Sequence, residues 1–394
     1  MATILLGWEL GSGISHASHM LTIADALRAQ GHTPVLALKD IPETHQMMHG
    51  KGIPVIPAPP LPPVRRNARG RLMATAGFGD ILAGLGLDDP GRLASLVGAW
   101  DSILGLVQPD LVIADHAPLL NVAARGRIPS LFLGNGFTLP PHGMERFPKL
   151  LPNAEHMIDE SLILESFNKV QGQRGAALFD YLPQILQATD SFVGTLPLLD
   201  PYRDQRPKPA NGVFEGLSEA TDAPSAPRVF VYFGTEIQSL HTMLEGVALS
   251  DYPADLFIRG LKERPANLTN NSKLTFHFEP PDLQHMLKCC TVALHYGGLA
   301  STASCLAMGR PQVIVETRPM ERRFNAYPII QGKLGGGLRK DFKAASLAAF
   351  LRALHEDSTW MDRASAAARE LSSDLRQPVL DRVVRRCFEI IDAA

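Results

Sequence analysis

The sequence predicts an α/β protein made of two doubly wound halves, and three observations carry that expectation. Short β-branched and leucine-rich runs alternate with helix-length segments through most of the 394 residues, the spacing of parallel βα units. Several of these runs are continuously apolar, as strands covered on both faces are. A polar, Pro-rich stretch at 197–227 separates two parts, each long enough for its own core.

In the first part the candidate strands are 3–6, 34–38, 111–114, 130–133 and 191–193, with an amphipathic run at 21–27 closed by Gly31-His32. The second part offers 229–233, 255–258, 274–278, 291–294 and 312–315. Helical apolar spacing marks 347–354 and 360–375, Pro378 interrupts it, and 379–391 resumes it. These readings place a first domain at 1–217 and an exposed linker at 218–227, where Glu, Thr, Asp, Ala and Pro leave little to bury. A second domain follows at 228–377, then a terminal helix at 378–394. No internal repeat is visible, so any symmetry between the halves is architectural. Two Rossmann-like halves facing across a cleft fit this order, and such open sheets bind ligands beyond the carboxyl ends of their strands.

Composition narrows the function. A formal net charge of −2 gives no general reason to expect nucleic acid as a partner. The four cysteines, Cys289, Cys290, Cys305 and Cys387, show no C-x-x-C spacing. Reduced thiols in a cytoplasmic protein fit better than a zinc site or a disulfide framework. The opening apolar stretch is too short for a signal peptide, and no run approaches the roughly 18 residues of a membrane span. A soluble protein is expected, with peripheral contact at a membrane surface left open. Oligomeric state is not readable.

The most telling segment is His295-Tyr296-Gly297-Gly298-Leu299-Ala300-Ser301-Thr302, between an apolar run and an Ala/Leu-rich helix. A strand, a glycine turn and a helix start bring unpaired amides and a helix dipole together, which suits a phosphate. Gly297 and Gly298 clear the backbone, Ser301 and Thr302 offer hydroxyls, and His295 can donate a charge-assisted bond. No P-loop pattern is present. Near the start, the first strand leads into Gly11-Ser12-Gly13-Ile14-Ser15-His16, which puts His16 on a loop beyond a strand end. Asp115 ends another strand. Asp115 alone reads equally well as a helix N-cap; paired with His16, it suggests a general base oriented by a carboxylate. No G-x-S-x-G elbow supports a serine hydrolase. The Gly11 cluster has His where a dinucleotide fingerprint needs its third glycine, which argues against a nicotinamide enzyme.

On these residues the chain resembles GT-B glycosyltransferases, closest in pattern to the family 1 enzymes that glycosylate natural products. His16 stands eleven residues before Leu27, and Gln30-Gly31-His32 follows, as in the family's first loop, although Ile14-Ser15 replace the usual glycine. The family's donor motif runs in register from His295 to Gly309-Arg310-Pro311, with Ala300 at the usual third glycine. Glu321-Arg322 and Asn325-Ala326 stand where the family shows an acid followed by Gln, then Asn-Ala.

The resemblance implies two Rossmann-like domains facing across a cleft, with the C-terminal helix crossing back to the first. It implies inverting transfer from a UDP- or dTDP-sugar to a small lipophilic acceptor, with no metal and no cofactor, the nucleotide-sugar being a substrate. His16 would be the base and Asp115 its support. The diphosphate would meet His295, Gly297, Gly298, Leu299, Ala300, Ser301 and Thr302, with Thr235 and Gly13 beside it. Glu321 would bind sugar hydroxyls. Arg322, in place of an amide, would alter sugar preference or add charge near a phosphate. Phe278, Glu279 and Pro280 would line the base, a buried core Phe being the other reading of Phe278. Phe137, His142 and Met144 would border the acceptor. The basic loop with Arg65, Arg66, Arg69 and Arg71 reads as a solvated loop, or as the mark of a MurG-like enzyme acting on a lipid-linked sugar. A catalytically silent relative acting as a binding partner is the remaining alternative.

Overall fold

Each half of the chain builds a six-stranded, all-parallel sheet, which is where continuously apolar strands can be covered on both faces. The structure, a computed structural model, describes residues 1–11, 13–65, 75–151, 153–235, 237–268, 270–317 and 320–393. Two units emerge. The first comprises Met1–Gly194, Pro201–Phe214 and Val379–Ala394; the second comprises Thr195–Asp200 and Glu215–Pro378.

The first unit contains β1 (Thr3–Trp8), α1 (Ser15–Ala29), β2 (Thr33–Leu38), α2 (Ile41–Met48), β3 (Val55–Pro57), α3 (Phe78–Gly84), α4 (Pro90–Val107), β4 (Leu111–Asp115), α5 (Pro118–Ala124), β5 (Ser130–Gly134), α6 (Glu160–Gln173) and β6 (Asp190–Val193). The strand order is β3-β2-β1-β4-β5-β6. Side chains alternate across a strand, so each face has its own core. Leu5, Val112, Ala114 and Phe132 pack with α3 to α6. Ile4, Leu6, Trp8, Leu111, Ile113 and Leu133 pack on the other face with α1.

The second unit contains β7 (Val229–Gly234), α7 (Leu240–Ser250), β8 (Ala254–Arg259), β9 (Leu274–His277), α8 (Leu283–Cys289), β10 (Val292–His295), α9 (Leu299–Met308), β11 (Gln312–Val315), α10 (Met320–Gln331), β12 (Gly335–Leu338), α11 (Ala344–Glu356), α12 (Thr359–Glu370) and α13 (Ser373–Arg376). Its order is β12-β11-β10-β7-β8-β9. Val229, Val231 and Phe233 bury against α7 and α11, while Phe230 and Ala293 bury against α8 and α9. When the strands of each unit are counted from its own first strand, both sheets read 3-2-1-4-5-6, the order of a dinucleotide-type Rossmann sheet.

Three features differ from the sequence reading. Strands β3 and β12 were not expected. β3 is only Val55-Ile56-Pro57, directly after Pro54, and β12 is Gly335-Gly336-Gly337-Leu338, with no β-branched residue. Packing explains those glycines: a Cβ on Gly336 would lie 2.3 Å from the Phe350 ring, and one on Gly337 would lie 2.6 Å from Ile330. The expected first domain, 1–217, gives up Thr195–Asp200 and everything from Glu215 on to the second unit.

The expected exposed linker, 218–227, is tied to that second unit. The buried guanidinium of Arg310 donates to the Thr221 carbonyl at 3.0 Å, the Thr221 hydroxyl at 2.9 Å and the Asp222 carbonyl at 3.1 Å. Arg376 donates to the Ser218 carbonyl.

After Pro378 the chain forms α14 (Val379–Asp392), which belongs to the first unit. Val379, Leu380, Val383 and Cys387 join the core beneath α1. Among the described residues no helix is long and apolar enough to cross a membrane.

Candidate active site

Parallel pairing puts Trp8, the last residue of β1, directly beside Asp115, the last residue of β4. The order of the sheet reverses between these strands, which is where a doubly wound sheet leaves its crevice. Because side chains alternate, Asp115 leaves β4 on the face that α1 covers, with Ile113 and Leu111 before it. His16 lies in the first turn of α1, not on the preceding loop as expected, and His19 follows it by three residues on the same side.

The His16 Nδ1 is 3.0 Å from Asp115 Oδ1, and His19 Nδ1 is 3.9 Å from the other carboxylate oxygen. Burial alone would push the Asp115 carboxyl up. The charges and hydrogen bonds of His16 and His19 outweigh it and hold the group well below the usual carboxylate range. Trp8 stacks on the His16 ring, with centroids 5.3 Å apart and planes 19° apart. The ring is thus fixed at Nδ1 and on one face. Gly11, at φ +83°, lies against its other nitrogen: a Cβ there would be 3.0 Å from His16 Nε2 and 3.3 Å from His116 Nδ1. Gly13 also has positive φ, +91°, with open space around its Cα.

Gly11 and His116 belong to the wall of a cavity of about 470 Å³ that also takes in Leu10, Lys39, Ile81 and Phe137. Of the expected acceptor residues, Phe137 lines this cavity; His142 and Met144 are not on its wall. Arg65 is at its edge, ion-paired to Asp88 at 2.8 Å. Arg66, Arg69 and Arg71 lie outside the described residues.

In the second unit β10 sits beside β7, again where the strand order reverses. Its last residue is His295, and the glycine turn leads straight into α9 with Gly298 at the N-cap. Gly297 has φ +79°, and a Cβ there would meet the Arg322 carbonyl oxygen and Ile314, each at 3.0 Å. Asn325 donates to the Gly297 carbonyl at 3.0 Å. The N–H groups of Leu299, Ala300 and Ser301 open the helix, where no intrahelical acceptor exists, and Gly298 at the N-cap has no side chain to offer them.

Two expected phosphate ligands are committed elsewhere. His295 is buried, its Nδ1 accepts from the Gly297 amide at 3.0 Å, and its Nε2 faces Gln312 Oε1 at 3.0 Å. Gln312 in turn donates to the Thr302 carbonyl at 3.1 Å. That chain of bonds requires a neutral ring with its proton on Nε2, and burial pushes the His295 pKa down to about 4. His295 is therefore a brace for the turn and not a cationic donor. The Thr302 hydroxyl donates to the Gly298 carbonyl at 2.8 Å, and its amide does so at 2.9 Å. Both are spent on the first turn of α9.

Arg322 stacks over the Tyr296 ring, with 4.0 Å from guanidinium carbon to centroid, and donates to the Thr317 hydroxyl at 3.2 Å. Its charge thus rests on the glycine turn itself. Glu321 is in the first turn of α10. Thr235 follows β7, its backbone amide bonded to the Arg259 carbonyl at 3.0 Å. Phe278, Glu279 and Pro280 form an exposed turn after β9, so Phe278 is not a core residue. All these loops leave the same carboxyl edge of one sheet. Among the described residues no three His, Cys, Asp or Glu side chains form a cluster able to hold a metal.

Sequence reasoning overlooked three groups: His116, Lys39 and Glu9. Each stands just beyond the end of a strand (β4, β2 and β1), a position that was the available signal. Lys39 donates to the Gly11 carbonyl and lies over Trp8, so it shapes the loop beside His16.

No family model matches the chain. It is 27% identical over 331 residues to an L-demethylnoviosyl transferase of Streptomyces niveus, covering 77% of each chain. The calicheamicin glycosyltransferase CalG4 superposes with a TM-score of 0.71 at 18% identity, covering 99% of this chain and 98% of that one. The glycosyltransferase VinC, solved in complex with dTDP, superposes with a TM-score of 0.60 at 17% identity over 98% of this chain and all of its own. The chain is thus a GT-B protein that resembles the glycosyltransferases of natural products in fold and in sequence.

Proposed function

We propose that this protein transfers a sugar from a thymidine-diphosphate sugar to a hydroxyl of a small lipophilic acceptor, with inversion at the anomeric carbon. One observation carries the reading: an imidazole held at Nδ1 by a buried carboxylate, with Nε2 beside a bare glycine on a cavity wall. Nε2 takes the proton from the acceptor hydroxyl as its oxygen attacks the anomeric carbon. Asp115 keeps the proton on Nδ1 and stabilises the imidazolium that forms.

The bond between the sugar and the diphosphate breaks as the new bond forms, and negative charge grows on the leaving group. The amides of Leu299, Ala300 and Ser301 and the dipole of α9 would meet that charge. Arg322, parked on Tyr296, adds a positive charge at the same turn, which favours a phosphate role for it over a sugar role. Glu321 is assigned to sugar hydroxyls. Strand β9 lies three spacings from β10, roughly 14 Å, so Phe278, Glu279 and Pro280 can attend the base while the glycine turn attends the phosphates. The reaction needs no metal ion in this reading. A thymidine nucleotide is favoured over uridine because two superposing transferases, VinC and SsfS6, are described in complex with thymidine diphosphate.

A thermal-shift panel of thymidine diphosphate, uridine diphosphate and NAD tests the donor assignment. Thymidine diphosphate at 100 times its Kd should stabilise the protein by about 2.7 kcal/mol. A shift with NAD and none with either nucleoside diphosphate would overturn the reading.

A further inference from the structure

A second imidazole stands beside the His16–Asp115 pair, and the transfer reaction as described does not use it. His116 follows Asp115 directly, in the left-handed region at φ +48°, which histidine tolerates better than most residues. Its backbone is pinned on both sides, its amide donating to the Leu133 carbonyl at 3.0 Å and its carbonyl accepting from the Leu10 amide at 3.1 Å. The ring lies between two others, His16 with centroids 5.9 Å apart and Phe78 at 6.3 Å. It is 95% buried, being 5% exposed, yet neither ring nitrogen has a hydrogen-bond partner of good geometry among the described residues. Burial first, then the charge of His16, pushes its pKa down to about 3, so the ring is neutral; the charge of Asp115, and more weakly the nearby Leu10 carbonyl, oppose this without cancelling it.

Buried imidazoles normally find partners. Here the ring faces a cavity of about 470 Å³ with mostly apolar walls, a size that suits a small organic molecule. The charged side chains on that wall are already engaged. Asp80 accepts from the amides of Ala76, Gly77 and Met157 and is bonded to His156. Arg65 is paired with Asp88, and Lys39 donates to the Gly11 carbonyl. His116 is left with one donor and one acceptor to offer. Its Nδ1 and the Nε2 of His16 converge, lying 3.3 Å and 3.0 Å from a single point beside Gly11.

We propose that His116 is a specificity-determining residue of the acceptor site: it hydrogen-bonds a second oxygen of the acceptor, on the ring carbon next to the hydroxyl that His16 deprotonates. The site would then select apolar ring systems carrying two adjacent oxygens, whose separation is close to one hydrogen-bond length. This inference rests on reading the first unit as the acceptor side.

The test is nucleotide-free binding, followed by quenching of tryptophan fluorescence, since Trp8 stacks on His16. The probes are 1,2-dihydroxyanthraquinone and 2-hydroxyanthraquinone. Wild-type protein should bind the diol at least about tenfold more tightly, because a buried polar group left unpaired penalises the analogue that lacks its partner. His116→Phe should lower affinity for the diol to that for the monohydroxy compound, whose own affinity stays put. His116→Asn, which tolerates the left-handed backbone and can hydrogen-bond, should retain part of the preference.

Equal binding of the two probes by wild type, binding of neither, or an equal loss of both in His116→Phe would overturn the proposal. If His116→Phe does not fold, the ratio in His116→Asn decides, and an unchanged ratio overturns it. Because no nucleotide is present, failure here leaves the sugar-transfer reading standing, and failure of nucleotide binding leaves this result standing.

Discussion

A single methyl group is enough to test how His16 is presented. Gly11 has φ +83°, and a Cβ there would lie 3.0 Å from His16 Nε2. Gly11→Ala should destabilise the fold by about 1–2 kcal/mol for the left-handed backbone and reduce turnover far beyond that, by covering the nitrogen. Melting and turnover measured on the same preparation separate the two effects; full activity would mean the nitrogen is reached from elsewhere. The Thr302 hydroxyl makes the opposite case. It is spent on the Gly298 carbonyl at 2.8 Å, so Thr302→Val should cost about 1 kcal/mol of stability and leave nucleotide affinity unchanged by calorimetry. A large loss of affinity would put that hydroxyl back among the ligands. At this scale the sequence reveals residue type and position but not the direction a ring turns. That His16 and Asp115 meet was legible because both were expected just beyond strand ends of one sheet. His295 was misread because its strand-end place says nothing of Gln312, seventeen positions away, which takes its Nε2. His116 went unnoticed beside an Asp that already explained the strand end.

The elements were legible wherever apolar runs were long, and lost where backbone alone holds a strand. β12 pairs with β11 from Gln312↔Gly335 to Val315↔Leu338, yet three of its four residues are glycines shaped by Phe350, Ile330 and Gln312. No propensity scale finds such a strand. A second contact between elements has a pH signature. Glu9, just past β1, accepts the amides of Leu119 and Leu120 in α5 at 3.0 and 2.6 Å. Burial, opposed by those bonds, raises its pKa from an ordinary 4.5 to about 8. Between these values the folded chain holds a proton that the unfolded chain has released, so stability falls as pH rises. This contribution is complete below about 4.5 and gone above about 8. Urea midpoints between pH 5 and 9 should decline in wild type, and Glu9→Gln should flatten that part of the decline. The same slope in both proteins would assign it to other groups.

Across the whole chain, the two sheets repeat one strand order without a detectable sequence repeat. Parallel pairing and two-sided burial ask only for apolar residues of the right length, so topology persists where identity does not. What the sequence missed at this scale was the course of the chain, with Thr195–Asp200 and the stretch from Glu215 belonging to the second unit. Short segments of that kind are assigned by partners such as Arg310 and Arg376, and a linear reading does not reveal those. In the proposed reaction the first unit holds the acceptor and its base, and the second holds the donor. The most direct test is the rate of sugar transfer from a thymidine-diphosphate sugar to a panel of hydroxylated aromatic acceptors, in wild type, His16→Ala and Asp115→Asn. Thymidine diphosphate affinity is measured alongside by calorimetry. The expected result is turnover in wild type, a loss of about 10²–10⁴-fold in both variants, and one common nucleotide Kd. Undiminished turnover in His16→Ala, with the fold intact, would contradict it.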